Sequence, residues 1–226
     1  MKYLNTVRGR FICRPNRFIA IVEVDGKEQV CHVKNTGRCR ELLVPGATVI
    51  LEKNDGKNRK TLYDVIAVYK GDMLINMDSQ APNKVFYEWL HTTDFFGNIS
   101  YIKPEKAYKC SRFDCYLEAD GTKNYVEIKG VTLEENGVAM FPDAPTERGL
   151  KHVRELCEAA KNGYGAYVFF IIQMQGCKYF TPNEKTHKEL ADALKKARSE
   201  GVGIYALCCH VSENSMSIDN FTEVML

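Results

Sequence analysis

Short stretches of alternating hydrophobic and polar residues dominate the first 70 positions of the chain. A period of two is typical of half-buried strands, so the pattern predicts five of them, over residues 6–14, 17–24, 28–34, 48–53 and 61–70. Turn residues separate the strands, among them Asn16, the pair Asp25-Gly26 and the pair Pro45-Gly46. The first part of the chain is therefore expected to be all-β, with no long helix.

Five short strands joined by basic loops look like an OB-fold barrel, which binds nucleic acid through a strand face and its loops. The loop Asn35-Thr36-Gly37-Arg38 would allow close approach to a ligand, although a tight turn explains it as well. Phe11 or Phe18 could offer a stacking face, but single aromatic residues in strands are more often core. The candidate contacts to a phosphate backbone are Arg8, Arg10, Arg14, Arg17, Arg38, Arg40, Lys57, Arg59 and Lys60.

From Pro82 onward helical and strand patterns alternate. Residues 83–91 predict a short helix, and residues 100–109 and the hairpin from Ser111 to Gly130 predict strands. A loop is expected over 131–141, then a helix that starts in the Asp143–Thr146 region with Asp143 in cap range and ends at Gly163. The remaining elements are an apolar, interior parallel strand over 166–173, a helix over 184–200 and a strand over 202–208. The pattern predicts a sheet with helices on both sides, and two domains, 1–78 and 79–226.

The hairpin carries the densest group of candidate catalytic residues. With Asp120-Gly121 as a two-residue turn, Asp114 faces Glu127 across the two strands. Lys129 lies on the same face, two residues beyond Glu127. A carboxylate pair beside an ammonium suits one hard cation such as Mg²⁺, although a surface hairpin with a small salt network is an equally ordinary explanation.

The helix after the hairpin adds polar residues on one face, at spacings of four and three: Arg148, His152 and Glu155. Arg148 and His152 would suit a phosphate if this helix points them at the hairpin. A single histidine is more often structural or solvated, so a phosphate-binding role for His152 depends on the presence of the other polar residues near it.

Composition and charge limit the function classes. Hydrophobic and charged contents of 45% and 27% are those of a globular protein. Residues 1–70 hold 14 Lys+Arg and 7 Asp+Glu, whereas the remainder holds 17 Lys+Arg and 22 Asp+Glu. The first part of the chain is therefore basic and the second acidic, which favours binding of a polyanion by the first part. Nine cysteines without a C-x-x-C pair predict reduced thiols. No apolar leader or membrane-length run is present, and a cytoplasmic location is expected.

The spacing D-(x12)-E-x-K is similar to the PD-(D/E)xK nuclease core. That resemblance implies that Asp114 and Glu127 hold a metal ion, Mg²⁺ or Mn²⁺, and that Lys129 orients the attacking water. It also implies a further carboxylate from the preceding helix, where Glu88 is the candidate, although a solvated helix glutamate explains Glu88 equally well.

The whole chain resembles the sugar fermentation stimulation protein A (SfsA) family. The blocks that carry the resemblance are N-T-G-R at 35–38, P-G at 45–46, A-P-N-K at 81–84, S-R-F-D at 111–114, Y-V-E-I-K-G-V-T-L at 125–133 and F-P-D-A-P-T-E-R-G-L-K-H-V-R-E-L at 141–156. The resemblance implies a two-domain α+β or α/β protein, in which an OB-fold-like β-barrel precedes a PD-(D/E)xK nuclease-like mixed sheet with flanking helices.

Two functions follow as expectations. The first is binding of DNA largely without sequence specificity, with a regulatory role in sugar (maltose) metabolism genes; the second is Mg²⁺-dependent cleavage of DNA at Asp114, Glu127 and Lys129. A protein-interaction module is a third and weaker option. The expected partner is DNA, with a homodimer as an option; no membrane and no small-molecule cofactor are expected, and whether the protein is an enzyme is open.

Overall fold

The first half of the chain forms a closed barrel. The structure is a computed structural model that describes residues 1–35, 37–54 and 60–226. The barrel strands are β1 (Thr6–Asn16), β2 (Ile19–Val24), β3 (Lys27–Val33), β4 (Thr48–Lys53) and β5 (Tyr63–Lys70). They are ordered β3-β2-β1-β4-β5, and a parallel pairing of β3 with β5 closes the barrel. The predicted OB-like barrel is confirmed, with each strand end within about three residues of its predicted position.

Alternation of side chains places the barrel core. In β2, Ala20, Val22 and Val24 are buried while the residues between them are half-buried, as the period of two predicts. Asp25 and Gly26 both have positive φ, 49° and 74°, in the two-residue turn that leads to β3. Aspartate and glycine tolerate this left-handed backbone, which a two-residue hairpin turn of this kind requires at both positions.

The second half is built on a nine-stranded sheet. Its strands are β7 (Ile99–Tyr108), β8 (Ser111–Ala119), β9 (Thr122–Val131), β10 (Leu133–Glu135), β11 (Val138–Phe141), β12 (Gly165–Ile172), β13 (Tyr179–Pro182), β14 (Gly203–Ser212) and β15 (Ser215–Val224). The order across the sheet is β10-β11-β13-β15-β14-β12-β9-β8-β7. A short sixth strand, β6 (Met73–Asn76), extends the barrel sheet along β5. Four residues are too few to show a period, so the sequence pattern does not predict β6.

Three helices cover the sheet: α1 (Ala81–Leu90), α2 (Glu147–Lys161) and α3 (Glu184–Ser199). The apolar residues of α1 pack with Val126, Phe169 and Leu207 on one face. The apolar residues of α2 and α3 pack with Val168 and Phe170 on the other face. The predicted mixed sheet with flanking helices is confirmed, and β12 is an interior strand, parallel to both β9 and β14.

Two local predictions are corrected. Residues 131–141 are not a loop: Asn136 and Gly137, with φ of 55° and 85°, form a tight turn between β10 and β11, and β11 pairs in parallel with β13. Asp143 is not the cap of α2. Thr146 is the cap, because its extended backbone lets its side chain accept a hydrogen bond from the Gly149 N–H, and Pro145 lies before the helix.

Polar contacts join the two halves of the chain. The Lys70 ammonium at the end of β5 lies 2.7 Å from a carboxylate oxygen of Glu134 in β10. The side-chain amide of Gln173 donates to the carbonyl oxygen of Asn76, the last residue of β6, and to that of Asp78 in the link between β6 and α1. The link covers residues 77–80, which include the predicted domain boundary. The barrel is thus attached to the sheet by directional bonds as well as by the chain itself.

The Glu134 ion pair predicts a pH-dependent stability. Burial by itself would raise the pKa of the Glu134 carboxyl, but hydrogen bonds from Lys70 and the Gly137 N–H outweigh burial and lower it. A lowered pKa stabilises the fold above pH 4.5, and the stabilisation is lost as the pH falls through the folded-state pKa. At pH 7, Glu134→Gln should lower the free energy of unfolding by about 1–3 kcal/mol in urea titrations.

The control for this prediction is Glu135→Gln, which removes the charge of the exposed neighbouring residue. It should change stability by less than about 0.5 kcal/mol. Equal destabilisation by both substitutions, or a Glu134→Gln effect that does not shrink as the pH is lowered into the acid range, would contradict the prediction.

Candidate functional site

The β8–β9 hairpin has the predicted register. Ala119 pairs with Thr122 and Cys115 with Val126, around Asp120 and Gly121, whose φ values are 47° and 77°. The next pair in this register is Asp114 with Glu127. There the strands separate, and the Ile128 N–H donates to Asp114 Oδ2, 2.8 Å away. A side-chain carboxylate thus replaces a main-chain carbonyl at the end of the ladder.

Helix α1 supplies the other neighbours of Asp114. The Tyr87 hydroxyl donates to the Asp114 main-chain carbonyl at 2.6 Å, and the Asn83 amide lies 3.4 Å from Asp114 Oδ1. Asn83 and Tyr87 are four residues apart, so they lie on one face of the helix. Burial and then the charge of Glu127 raise the pKa of the Asp114 carboxyl above its usual value. The ionised form of Asp114 is therefore disfavoured by the fold.

Glu127 lies at the centre of the site and is 1% exposed. Its Oε1 accepts hydrogen bonds from the Lys129 ammonium and from His152 Nδ1. Its Oε2 is buried and has no hydrogen-bond partner in the described part of the chain. Burial would raise the pKa of the Glu127 carboxyl, but His152 and Lys129 outweigh burial and lower it. An ionised carboxylate is held with one oxygen still available.

Helix α2 brings Arg148 and His152 to this carboxylate. Arg148 Nε lies 3.5 Å from His152 Nε2, while His152 Nδ1 faces Glu127. Because the Arg148 guanidinium can only donate, Nε2 is the acceptor in that contact and Nδ1 is the nitrogen that donates to Glu127. The Phe113 ring packs edge-on against the imidazole. The structure therefore brings together Asp114, Glu127, Lys129, Arg148 and His152, the five residues predicted from sequence as catalytic.

Glu88 is not part of this group. Its carboxylate accepts a hydrogen bond from the amino group of Met1, and its side chain is 58% exposed. Asn83 and Tyr87 occupy the positions on α1 that face Asp114. Glu88 follows Tyr87 and points about 100° further round the helix, so it faces away from Asp114. The sequence analysis missed Asn83 and Tyr87. The signal that could have found them is their spacing of four residues, which places both on one face of the predicted helix.

The donor set fits a single hard cation in part. Asp114 and Glu127 provide two adjacent carboxylates, and the buried Glu127 Oε2 is an oxygen with no other partner in the described residues. Among residues 1–35, 37–54 and 60–226, no group of three or more His, Cys, Asp or Glu side chains is placed to hold a metal ion. Any further ligands would have to be water, substrate or main-chain oxygens.

The basic residues of the barrel fall into three kinds. Arg8 is paired with Glu213 at 2.6 Å and Arg10 with Glu23 at 2.7 Å, so their charges are compensated. Arg14 donates four hydrogen bonds to main-chain carbonyls. The remaining described members are exposed: Arg17, Arg38, Arg40 and Lys60.

Three further barrel predictions concern Lys57, Arg59 and the aromatic residues. Lys57 and Arg59 lie outside the described residues. Phe11 is buried in the barrel core, whereas Phe18 is 49% exposed with the Arg17 guanidinium 5.5 Å from its ring centre. Phe18 is therefore the one of the two that presents a stacking face.

The fold and the site define a two-part protein, with a closed OB-like barrel followed by a mixed sheet and helices that surround the buried Glu127 and the half-buried Asp114. Residues 12–77 match the family model described as the SfsA N-terminal OB domain, and residues 80–215 match the Sugar fermentation stimulation protein RE domain. The chain belongs to the sugar fermentation stimulation protein (SfsA) family. None of the described helices is both long and apolar enough to cross a membrane.

Relatives of full length support this assignment. A Sugar fermentation stimulation protein homolog of Desulfitobacterium hafniense (strain Y51) is 60% identical over 100% of this chain and 99% of that protein. A homolog of Clostridium beijerinckii is 56% identical over 100% of both chains. The solved structure of Pyrococcus furiosus SfsA in complex with Ca²⁺ has a TM-score of 0.91 and 27% identity, and covers 100% of this chain and 98% of that chain.

The raised pKa of Asp114 predicts that Asp114→Asn stabilises the metal-free protein. Because the pKa of Asp114 is raised in the folded state, protonated Asp114 contributes a stabilisation that is fully present below pH 3.8. This contribution is lost as the pH rises through the folded-state pKa. At pH 7 with a chelator present, the substitution should raise the free energy of unfolding by about 0.5–2 kcal/mol, since asparagine can still accept from the Ile128 N–H.

The matched control is Asp72→Asn, which removes one charge from an exposed carboxylate. Its effect should be within about 0.5 kcal/mol of zero. Thermal and urea unfolding measure both variants. A loss of stability in Asp114→Asn at pH 7, or a gain that remains at pH 3, would contradict the assigned electrostatics.

Proposed function

We propose that this protein binds DNA through its barrel, largely without reading sequence. The observation that carries the proposal is the set of exposed barrel arginines, Arg17, Arg38 and Arg40, which have no ion-pair partner among the described residues. Solvated guanidinium groups of this kind suit phosphate, which they contact in a bidentate manner. The resemblance of the whole chain to the SfsA family adds a setting for this binding, the regulation of sugar (maltose) metabolism genes.

Binding by phosphate contacts predicts a steep salt dependence. If three phosphates are neutralised, log affinity should fall with log salt with a slope of about −2.7, so a fourfold rise in salt weakens binding about 40-fold. Fluorescence anisotropy with two labelled duplexes of unrelated sequence measures this. Affinities within about threefold of each other are expected for the two duplexes; affinity that does not respond to salt would rule out the proposal.

A second candidate function is metal-dependent cleavage of DNA. It is favoured by Glu127 Oε2, a buried carboxylate oxygen without a partner in the described chain, beside Asp114 and Lys129. The similar Pyrococcus furiosus protein was solved in complex with Ca²⁺, which supports binding of a divalent cation by this protein as well. Mg²⁺ or Mn²⁺, held by Asp114 and Glu127, would polarise a phosphodiester and lower the pKa of a bound water.

The protein residues have separate tasks in this candidate reaction. The Lys129 ammonium, 20% exposed and fixed by Glu127, is placed to orient a water molecule. His152 holds Glu127 in its orientation and is itself buried, so it acts as a positioning residue. Arg148 is exposed at the first turn of α2, where it can stabilise charge that develops on a phosphate.

Metal binding is testable without any assay of activity. Mn²⁺ at about 100 times its dissociation constant should stabilise the wild-type protein by about 2.7 kcal/mol, seen as a rise in Tm. The rise should be absent in Asp114→Asn and Glu127→Gln and present in the control Asp72→Asn. An equal rise in all four proteins would exclude these carboxylates as the site.

Cleavage is tested with single-stranded, duplex and branched DNA in the presence of Mg²⁺ or Mn²⁺. Asp114→Asn and Lys129→Met should each lower the rate at least about 100-fold, while DNA affinity changes little. Absence of cleavage by the wild-type protein, or equal rates in the variants, would remove the nuclease candidate and leave DNA binding unaffected.

A further inference from the structure

A concavity on the barrel surface is lined by four arginines. Its walls are formed by Arg14, Asn16, Arg17, Gly37, Arg38, Cys39, Arg40 and Leu43, and its volume is about 410 Å³. None of the described residues that line it carries a carboxylate. Burial and then the charges of Glu41 and Asp143 raise the pKa of the Cys39 thiol in its wall, so these two carboxylates lie near the wall. A volume of this size holds a phosphate group with its neighbouring sugar atoms.

Arg14 fixes the shape of this concavity. One terminal nitrogen donates to the carbonyls of Gly37 and Arg38, at 2.9 and 2.8 Å. The other donates to the carbonyls of Arg17 and Asn35, at 2.7 and 2.6 Å. The fork of a guanidinium therefore ties the end of β1 to the loop that follows β3. Carbonyl dipoles hold the Arg14 charge in place, but no ion pair with a described carboxylate neutralises it.

The other three arginines are held near one another by this arrangement. Arg17, Arg38 and Arg40 are exposed, and within the described ranges none of them forms an ion pair, in contrast to Arg8 and Arg10. Like charges gathered around one hollow repel, and an anion relieves the repulsion. The Arg17–Phe18 pair at the rim adds an exposed aromatic face on which a base can stack.

The concavity adjoins a second cleft, which reaches strand β9. Gly37 lines both the concavity and a second cleft of about 270 Å³ between the barrel and the sheet. The second cleft is also lined by Gly130, Thr132, Asp143 and Thr146, and Gly130 directly follows Lys129. A Cβ atom at Gly37 would lie 2.9 Å from Asp143 Oδ2, so the wall between the two hollows is closely packed.

We infer that the arginine concavity binds a backbone phosphate of nucleic acid, and that the strand continues past Gly37 into the second cleft toward Lys129. Arg17, Arg38 and Arg40 contact this phosphate and the two phosphates beside it in the strand, and Arg14 is a positioning residue that holds the loop. The inference rests on the proposed DNA binding and assigns its location.

The test compares two triple variants with the same change of charge. One combines Arg17→Ala, Arg38→Ala and Arg40→Ala; the control combines Lys27→Ala, Lys185→Ala and Arg198→Ala, all exposed and outside the concavity. The first should lose at least about tenfold in DNA affinity and should have a salt slope shallower by about two to three. The control should change the slope by less than about one.

Arg14→Lys tests the positioning role. It keeps the charge but cannot donate to four carbonyls in a fixed fork. At a temperature where circular dichroism shows the variant fully folded, DNA affinity and the salt slope should both fall. A merely structural role would lower Tm and leave both quantities unchanged at that temperature.

Inorganic pyrophosphate, titrated by calorimetry, separates failure of the site from failure of the function. Wild-type affinity for DNA and pyrophosphate, lost in the arginine triple variant, supports the inference. If the arginine triple variant keeps the DNA affinity and the salt slope of the wild-type protein, the inference about the concavity is wrong, while the proposed DNA binding is unaffected. Pyrophosphate binding that depends on the arginines, without any DNA binding, retains the anion site and removes the proposed function. If the wild-type protein binds neither DNA nor pyrophosphate, both the anion site and the proposed DNA binding are excluded.

Discussion

The arrangement around Glu127 is the constraint on which the candidate site depends. A carboxylate this deeply buried is stable as an anion only if cations or hydrogen bonds compensate it. Lys129 from the same strand and His152 from α2 provide that compensation at one oxygen. The contact with His152 fixes the rotation of α2 over the sheet, and the rotation in turn places Arg148 at the edge of the site. One buried charge thus ties the hairpin to the helix behind it.

Attachment of the barrel to the sheet forms a cleft between the two parts of the chain. The Lys70–Glu134 pair and the Gln173 bonds to the link place the loop after β3 opposite the segment before α2. The resulting cleft contains Gly37 from one half of the chain and Gly130 from the other. Because buried polar contacts have strict geometry, they specify the relative position of the halves more sharply than apolar packing alone.

Local chemistry was sufficient for much of this protein. The barrel strands, the long helices and the interior strand β12 all follow from hydrophobic periodicity, and the register that brings Asp114 opposite Glu127 follows from the Asp120-Gly121 turn. A two-residue turn sets the register of its strands within a few residues of itself, so no distant contact is needed. Short elements such as β6, β10 and β11 escape prediction because their pairing partners, not their own pattern, make them strands.

Only the tertiary structure decided which charged residues act together. The sequence points to Glu88, but the packing of α1 turns Tyr87 to Asp114 and leaves Glu88 with the amino group of Met1. Similarly, Arg8, Arg14 and Arg17 look alike in the sequence, and long-range partners separate them: Glu213 for Arg8, main-chain carbonyls for Arg14, and solvent for Arg17. The physical reason is that residue type and spacing determine which bonds a side chain can form, whereas its actual partners come from chain segments far away in sequence.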